Sequence, residues 1–264
     1  MEECLLYQEP ALYECLFPAA PNTAAVDEVR RQRLLNSQRF YLEQARESGG
    51  RVLDLACGNG RLTLPIAQSG IQVMGVDSSA SMLDVARSRA STAGLQVEFT
   101  HGDMRSFQLP AKFSAILIAG NSLLHLLTAE DVKRCFNRVC RHLAPGGRLV
   151  FDIMNPDMSV LAPDSQKRHL LFRVNDAERG EVTLEEIARY DATTQIRYIK
   201  WFLSTADHPD FRVIDYSLHL IFSLELPLLL ESAGLRLESR YGEFTREPFQ
   251  SSSPRQLCIC KAKS

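Results

Sequence analysis

The chain has 264 residues, 45% of them hydrophobic, with 30 basic and 32 acidic side chains and a formal net charge of −2. That length supports one full α/β unit with a sizeable insertion, and the absence of a basic excess speaks against a nucleic-acid partner. Apolar runs are strand-sized, short of the roughly 18 residues a membrane-spanning helix needs. The Met-Glu-Glu-Cys start does not read as a signal peptide.

In chain order, residues 1–25 contain Pro10, Pro18 and Pro21 and read as an irregular arm or lid. Residues 26–48 carry apolar positions at helical spacing and predict a helix or helix pair. From residue 51 strands and helices alternate: strands over 52–56, 72–76, 96–100, 114–119 and 148–153, and helices over 60–69, 79–93 and 129–143. Pro65 is tolerable only in the first turn of its helix. Thr128 is a good N-cap, and Pro145-Gly146-Gly147 marks a helix end. Such alternation argues for a doubly wound parallel sheet. The pattern then changes to period-2 segments over 181–190, 195–205 and 211–221, an antiparallel insertion. A helix over 224–233 and strands over 235–241 and 256–261 close the chain. The reading divides it into an N-terminal helical arm (1–50), a core (51–156 and 223–264) and an antiparallel cap (157–222).

Seven cysteines form no regular framework and read as reduced, structural thiols of a cytoplasmic protein. Cys258 and Cys260 lack histidine or cysteine partners at zinc spacing, so no metal is expected.

Ligands of open α/β sheets sit beyond the carboxyl ends of the strands. Four segments put glycine or polar residues there: Asp54 to Gly60, Asp77-Ser78, Gly102-Asp103-Met104, and Ala119-Gly120-Asn121-Ser122. A glycine turn running into a helix brings backbone N–H groups and a positive helix end to a ligand. The dinucleotide fingerprint wants three glycines, and Thr63 stands where the third belongs. A carboxylate at position 54 would repel a pyrophosphate but suits an ammonium group. S-adenosylmethionine carries both an ammonium and a sulfonium. Asp77 is suited to accept from both hydroxyls of a ribose, and Asp103 from an exocyclic amine.

Taken together, Val52-Leu53-Asp54-Leu55-Ala56-Cys57-Gly58-Asn59-Gly60, Gly75-Val76-Asp77-Ser78-Ser79, Met82-Leu83, Gly102-Asp103-Met104 and Leu143-Ala144-Pro145-Gly146-Gly147 resemble the class I S-adenosylmethionine-dependent methyltransferases. The resemblance covers residues 45–155 well and 222–261 more loosely. It implies a Rossmann-like seven-stranded, mostly parallel sheet with core-strand order 3-2-1-4-5-7-6, the seventh strand antiparallel, and an antiparallel insertion after the fifth. It implies that the loop carrying Asp54, Ala56, Gly58, Asn59 and Gly60 cradles the methionine part. Asp77 and Ser78 would hold the ribose, and Met82, Gly102, Asp103, Met104, Ala119 and Asn121 would line the rest of the cofactor site.

The Asn/Asp-Pro-Pro-aromatic motif of DNA-adenine and protein-glutamine enzymes is absent after the fourth strand, as is the Pro-Cys pair of cytosine C5 enzymes. The resemblance is closest in style to small-molecule N- and O-methyltransferases, so the expected partner is a small-molecule methyl acceptor; the sequence leaves homo-oligomer formation open. A cofactor-binding protein without transfer activity and an NAD-dependent reductase are the alternatives. His125, just past the fourth strand, is the candidate base. Tyr13 is the candidate cofactor lid, and Tyr190, Trp201 and Arg255 are the candidate acceptor contacts.

Overall fold

The alternating half of the chain supplies five strands of a seven-stranded sheet, and the central ones, Val52–Leu55 and Phe113–Ile118, are buried almost throughout because they are apolar on both faces. The structure, a computed structural model, describes residues 5–19, 27–157, 161–162 and 166–263. Helices α1 (Leu5–Gln8), α2 (Pro10–Leu16) and α3 (Glu28–Glu47) precede β1 (Val52–Leu55). Then come α4 (Thr63–Gln68), β2 (Val73–Asp77), α5 (Ala80–Thr92), β3 (Glu98–His101) and β4 (Phe113–Ile118). A 3₁₀ turn (Ser122–His125), α6 (Ala129–His142) and β5 (Leu143–Met154) follow. A separate meander of β6 (His169–Asp176), β7 (Gly180–Asp191), β8 (Ile196–Ser204) and β9 (Arg212–His219) intervenes before α7 (Glu225–Ser232), β10 (Leu235–Tyr241) and β11 (Arg255–Ala262).

The large sheet runs β10-β11-β5-β4-β1-β2-β3. The pairings of β1 through β5 are parallel, and β11 is antiparallel to both β5 and β10. With β10 and β11 counted as the sixth and seventh core strands, this is the expected 3-2-1-4-5-7-6 order. On β4, Ile116 and Ile118 enter one core cluster while Ala115 and Leu117 enter the other, so helices cover both faces. Helix α6 is capped by Thr128, whose hydroxyl accepts from the Asp131 N–H, and buries Val132, Cys135, Phe136 and Val139. Each large apolar side chain so buried contributes about 2 kcal/mol. The second sheet, β6-β7-β8-β9, is antiparallel throughout.

Three local expectations are corrected. The described part of residues 1–25 is helical rather than irregular: Pro10 is the first residue of α2, where its missing N–H costs nothing. Strand β6 is not among the expected strands, because its alternation covers only Phe172 to Asp176 and is broken at a register shift between Leu170 and Phe172, where Leu170 and Leu171 are both exposed. Pro145-Gly146-Gly147 lies inside β5, at the point where its pairing with β4 shifts register, and the helix ends before it at His142. Among the described residues no helix is long and apolar enough to cross a membrane, and no cluster of three or more His, Cys, Asp or Glu is placed to hold a metal.

Candidate active site

A cavity of about 470 Å³ opens at the carboxyl ends of β1, β2 and β4. Its floor is the loop after β1. Ala56 has φ 63°, a left-handed conformation that costs an alanine on the order of 1 kcal/mol. Its N–H and that of Cys57 both donate to the Val76 carbonyl, at 2.7 and 3.0 Å, and this fixes the turn against β2. Gly58 follows at φ 54° and donates its N–H to Asp77 Oδ2 at 2.7 Å. The other Asp77 oxygen accepts from the Ser79 N–H at 2.8 Å, so this carboxylate ties the loop to the start of α5. A side chain at Gly75 is excluded, since a Cβ would lie 2.6 Å from the Phe99 ring and 2.8 Å from Cys57 Sγ.

Asp54 is 2% exposed and accepts a 2.5 Å hydrogen bond from the Thr63 hydroxyl. Burial pushes its carboxyl up to about 6, against the opposing pull of Thr63 and Arg61. Arg61 also lines the cavity, and among the described residues its guanidinium has neither a hydrogen-bond nor an ion-pair partner. Asn59 is buried and donates to Glu14 Oε2 at 2.8 Å; Glu14 in turn pairs with Arg89 at 2.7 Å. Helix α2 is thereby fastened to the glycine loop.

On the far side of β2, the Arg105 guanidinium forks onto both Asp103 oxygens and holds that carboxyl below the usual range. Arg105 also reaches Asp131 at 3.3 Å. Met82, Asp103 and Met104 line this end, and Ala119, Gly120 and Ser122 line the end of β4. The Gly120 N–H donates to Asp152 Oδ1 at 2.9 Å. Asp152 is 1% exposed and also accepts from the Tyr41 hydroxyl at 2.6 Å and from Arg255 at 3.1 Å.

His125 ends the 3₁₀ turn and faces the cavity, with Nε2 3.0 Å from the Tyr7 hydroxyl. Burial lowers its imidazole to about 4, so it is neutral at pH 7. Tyr7 from α1 and Tyr13 from α2 cover the opening, their ring centroids 5.8 Å apart. Burial raises the Tyr13 phenol above its ordinary value. Asp215, Tyr216 and Ser217 of β9 form the opposite wall.

The structure thus brings Tyr13, Asp54, Ala56, Gly58, Asn59, Asp77, Ser78, Met82, Asp103, Met104, Ala119 and His125 to one cavity. Six candidates are placed elsewhere. Gly60 and Gly102 shape the backbone, donating to the Cys57 and Asp77 carbonyls. Asn121, at φ 66°, turns its side chain away and accepts from the Met154 N–H at 2.6 Å. Arg255 does not line the cavity: Asp152 and Glu243 engage its guanidinium, the latter at 2.8 Å. The Trp201 indole donates to Glu186 and packs between Phe17 and Tyr216, behind the wall. Tyr190 packs into the core outside the cavity. Sequence reasoning missed Tyr7, Arg61, Ser79, Arg105, Asp215, Tyr216 and Ser217.

Residues 52–147 match the family model described as "Methyltransferase domain". YqeM of Bacillus subtilis (strain 168) is 35% identical over 47% of this chain and 51% of its own length. A glycine/sarcosine N-methyltransferase of Aphanothece halophytica is 25% identical over 81% of this chain and 77% of its own. Among solved structures, the CcbJ methyltransferase from Streptomyces caelestis superposes with a TM-score of 0.76 at 26% identity, covering 88% of this chain and 90% of that one. The chain spans about half the length of the first curated relatives it matches.

Proposed function

From a chain whose residues 52–147 match a methyltransferase domain and whose fold superposes on a solved methyltransferase, we propose a class I enzyme that transfers a methyl group from S-adenosylmethionine to nitrogen or oxygen of a small polar molecule. The observation that carries this reading is the charge arrangement at the glycine loop. Asp54 is a buried carboxyl whose titration burial raises to about 6, so it is ionised at neutral pH at a desolvation cost that a ligand ammonium beside it would offset. Arg61, a few residues on, acts on Asp54 through its field but makes no hydrogen bond or ion pair among the described residues. One buried anion and one unpaired cation in the same cavity suit the zwitterionic amino-acid end of that cofactor. They do not suit a pyrophosphate, which Asp54 would repel.

The cofactor, when bound, supplies an electrophilic methyl carbon on a positively charged sulfur. In this reading the loop from Asp54 to Asn59 orients the amino-acid end. Asp77 is held by two backbone N–H groups and lines the cavity where ribose hydroxyls would be accepted. Asp103, clamped by Arg105, faces the base beside Met104. Tyr7 and Tyr13 exclude water, which strengthens every polar contact inside. His125 stands on the acceptor side as an uncharged imidazole that orients the incoming nucleophile. The six described cysteines are all free thiols, which supports a reducing, cytoplasmic setting.

Calorimetric titration with S-adenosylmethionine and, separately, NADH tests this. Micromolar binding of the first alone, with adenosylhomocysteine released in the presence of an acceptor, is expected. NADH binding without S-adenosylmethionine binding would overturn the reading.

A further inference from the structure

A second cleft, of about 250 Å³, opens at the opposite edge of the large sheet, where β4 begins and α6 ends. The segment 108–112, which leads into β4, forms one wall, and Arg138, Arg141 and His142 of α6 form the other. The two walls are fastened together. His142, 6% exposed, accepts the Leu109 N–H at Nε2 (3.1 Å) and donates from Nδ1 to the Arg138 carbonyl at 2.7 Å. The Lys112 ammonium donates to the Arg141 carbonyl. The chemistry of the cleft is one-sided. Lys112, Arg138 and Arg141 bring their cations to it, and no Asp or Glu lines it. The guanidiniums of Arg138 and Arg141 make no hydrogen bond or ion pair among the described residues. Arg134, one turn earlier on α6, is by contrast met by Glu130 and Asp131. The carbonyl end of a helix favours a cation, and Lys112 supplies it at the Arg141 carbonyl. The two guanidiniums, at i and i+3 of the helix, are left over.

We propose that this cleft is an anion-binding site, separate from the large cavity at the carboxyl ends of the strands, and that it takes the diphosphate group of a small phosphorylated molecule. A guanidinium presents forked N–H donors that match phosphate oxygens two at a time. The Lys112 ammonium keeps further N–H donors once its carbonyl contact is made. A phosphomonoester carries at most about two negative charges at pH 7 and leaves one of these cations unmet, whereas a diphosphate meets Lys112, Arg138 and Arg141 together. A carboxylate has two oxygens in one plane and would engage a single guanidinium. Cations gathered in a concave wall focus their field on an incoming anion. The volume is smaller than a cavity that encloses a drug-sized ligand, so the charged group is enclosed and the remainder of its molecule lies outside. The free positive charge does not extend back along α6 to Arg134, which is paired. The cleft therefore suits a compact anion and not a polymer backbone.

The test is calorimetric titration of the full chain with inorganic pyrophosphate, inorganic phosphate and sulfate, without divalent metal and in about 50 mM NaCl. Pyrophosphate should bind with a Kd below about 1 mM, and at least about 10-fold more tightly than phosphate or sulfate. The double variant Arg138→Gln/Arg141→Gln should lose at least about 10-fold in pyrophosphate affinity, and Arg141→Glu, at an exposed position, should abolish binding. Arg46→Gln, a control at an exposed arginine without an ion pair among the described residues, should stay within about 2-fold of wild type. Saturating S-adenosylmethionine should leave pyrophosphate binding in place. ADP and UDP distinguish the sources of the group: affinity at least about 10-fold above that of pyrophosphate assigns a nucleoside diphosphate, and equal or weaker affinity assigns the free diphosphate. No binding of pyrophosphate, equal binding of sulfate, wild-type affinity in the double variant, or displacement of pyrophosphate by S-adenosylmethionine overturns the proposal.

Discussion

Asp54→Asn should make the protein more stable and less able to bind its cofactor. The carboxyl is 2% exposed, and burial moves it from the ordinary 3.8 to about 6. At 1.36 kcal/mol per pH unit, holding it ionised in the ligand-free native state costs about 3 kcal/mol. The sign follows from linkage. The native state keeps this proton to a higher pH than the unfolded chain does, so the contribution to stability is whole below pH 3.8, falls between 3.8 and 6, and is gone above 6. Asparagine never ionises and still accepts from Thr63. Allowing about 1 kcal/mol for the weaker neutral hydrogen bond, the variant should be about 2 kcal/mol more stable at pH 8. That corresponds to roughly 4–8 °C in Tm for a chain of this size. At pH 4 the difference should nearly vanish. S-adenosylmethionine affinity should drop by roughly 10- to 100-fold, the worth of one charge-assisted hydrogen bond, and the wild-type affinity should rise with pH through about 6 while that of the variant stays flat. Scanning calorimetry at pH 4 and pH 8, with titration across the same range, reads both effects. A variant less stable than wild type at pH 8, or one with unchanged affinity, would refute the placement of an ammonium beside Asp54.

Asp77→Ala removes the acceptor for the Gly58 and Ser79 N–H groups together with the proposed ribose contact. Affinity for S-adenosylmethionine should fall by about 100-fold or more, and calorimetry showing less than a 5-fold loss would contradict the assignment. Arg255→Met leaves Asp152, which is 1% exposed, without its guanidinium. Urea denaturation should show a loss of about 3–5 kcal/mol, whereas a stable variant with only a raised acceptor KM would return Arg255 to the acceptor site. Glu14→Gln breaks the ion pair with Arg89 and weakens the contact to Asn59. Stopped-flow displacement should show cofactor dissociating about 10-fold faster, and an unchanged rate would mean that α2 does not gate release.

The parallel core was legible because each of its signals has one physical meaning. Residues 114–119 are apolar without alternation, and in the structure β4 is covered on both faces by separate core clusters. Thr128 announced a helix start, and it caps α6 through its hydroxyl. The first helices were not legible, since Pro10 breaks a helix in its interior and begins one at its first position, and nothing local to residues 5–16 distinguishes the two. Strand β6 was hidden for a similar reason. It is an edge strand of the small sheet whose Leu170 and Leu171 both face outward, so pairing with β7 forms it rather than an amphipathic pattern.

At the site, residues that act through the backbone near a glycine turn were readable, and residues that arrive from a distance were not. Asp54 and Asp77 sit at the ends of neighbouring parallel strands, so their meeting follows from β-strand register. Arg61 stands next to that turn and was visible, but an arginine adjacent to a glycine loop is usually solvated; only its lack of a partner inside the cavity gives it meaning. Tyr7 carried no signal at all, because its place opposite His125, 118 residues away, depends on Glu14 and Asn59 fastening the neighbouring α2 to the loop. Tyr216 did carry one: it alternates with the buried Ile214 and Leu218, so it shares their face of β9. Trp201 and Arg255 drew attention by residue type, yet Trp201 is bound to the buried Glu186 and Arg255 to the buried Asp152. A buried carboxylate demands such a partner, and the cation or N–H donor that meets the demand is thereby spent. The side chains left to meet a ligand are those whose own demands remain open, and in this cavity these are Asp54, whose buried charge is met only by the Thr63 hydroxyl and the field of Arg61, and Arg61, which makes no hydrogen bond or ion pair among the described residues.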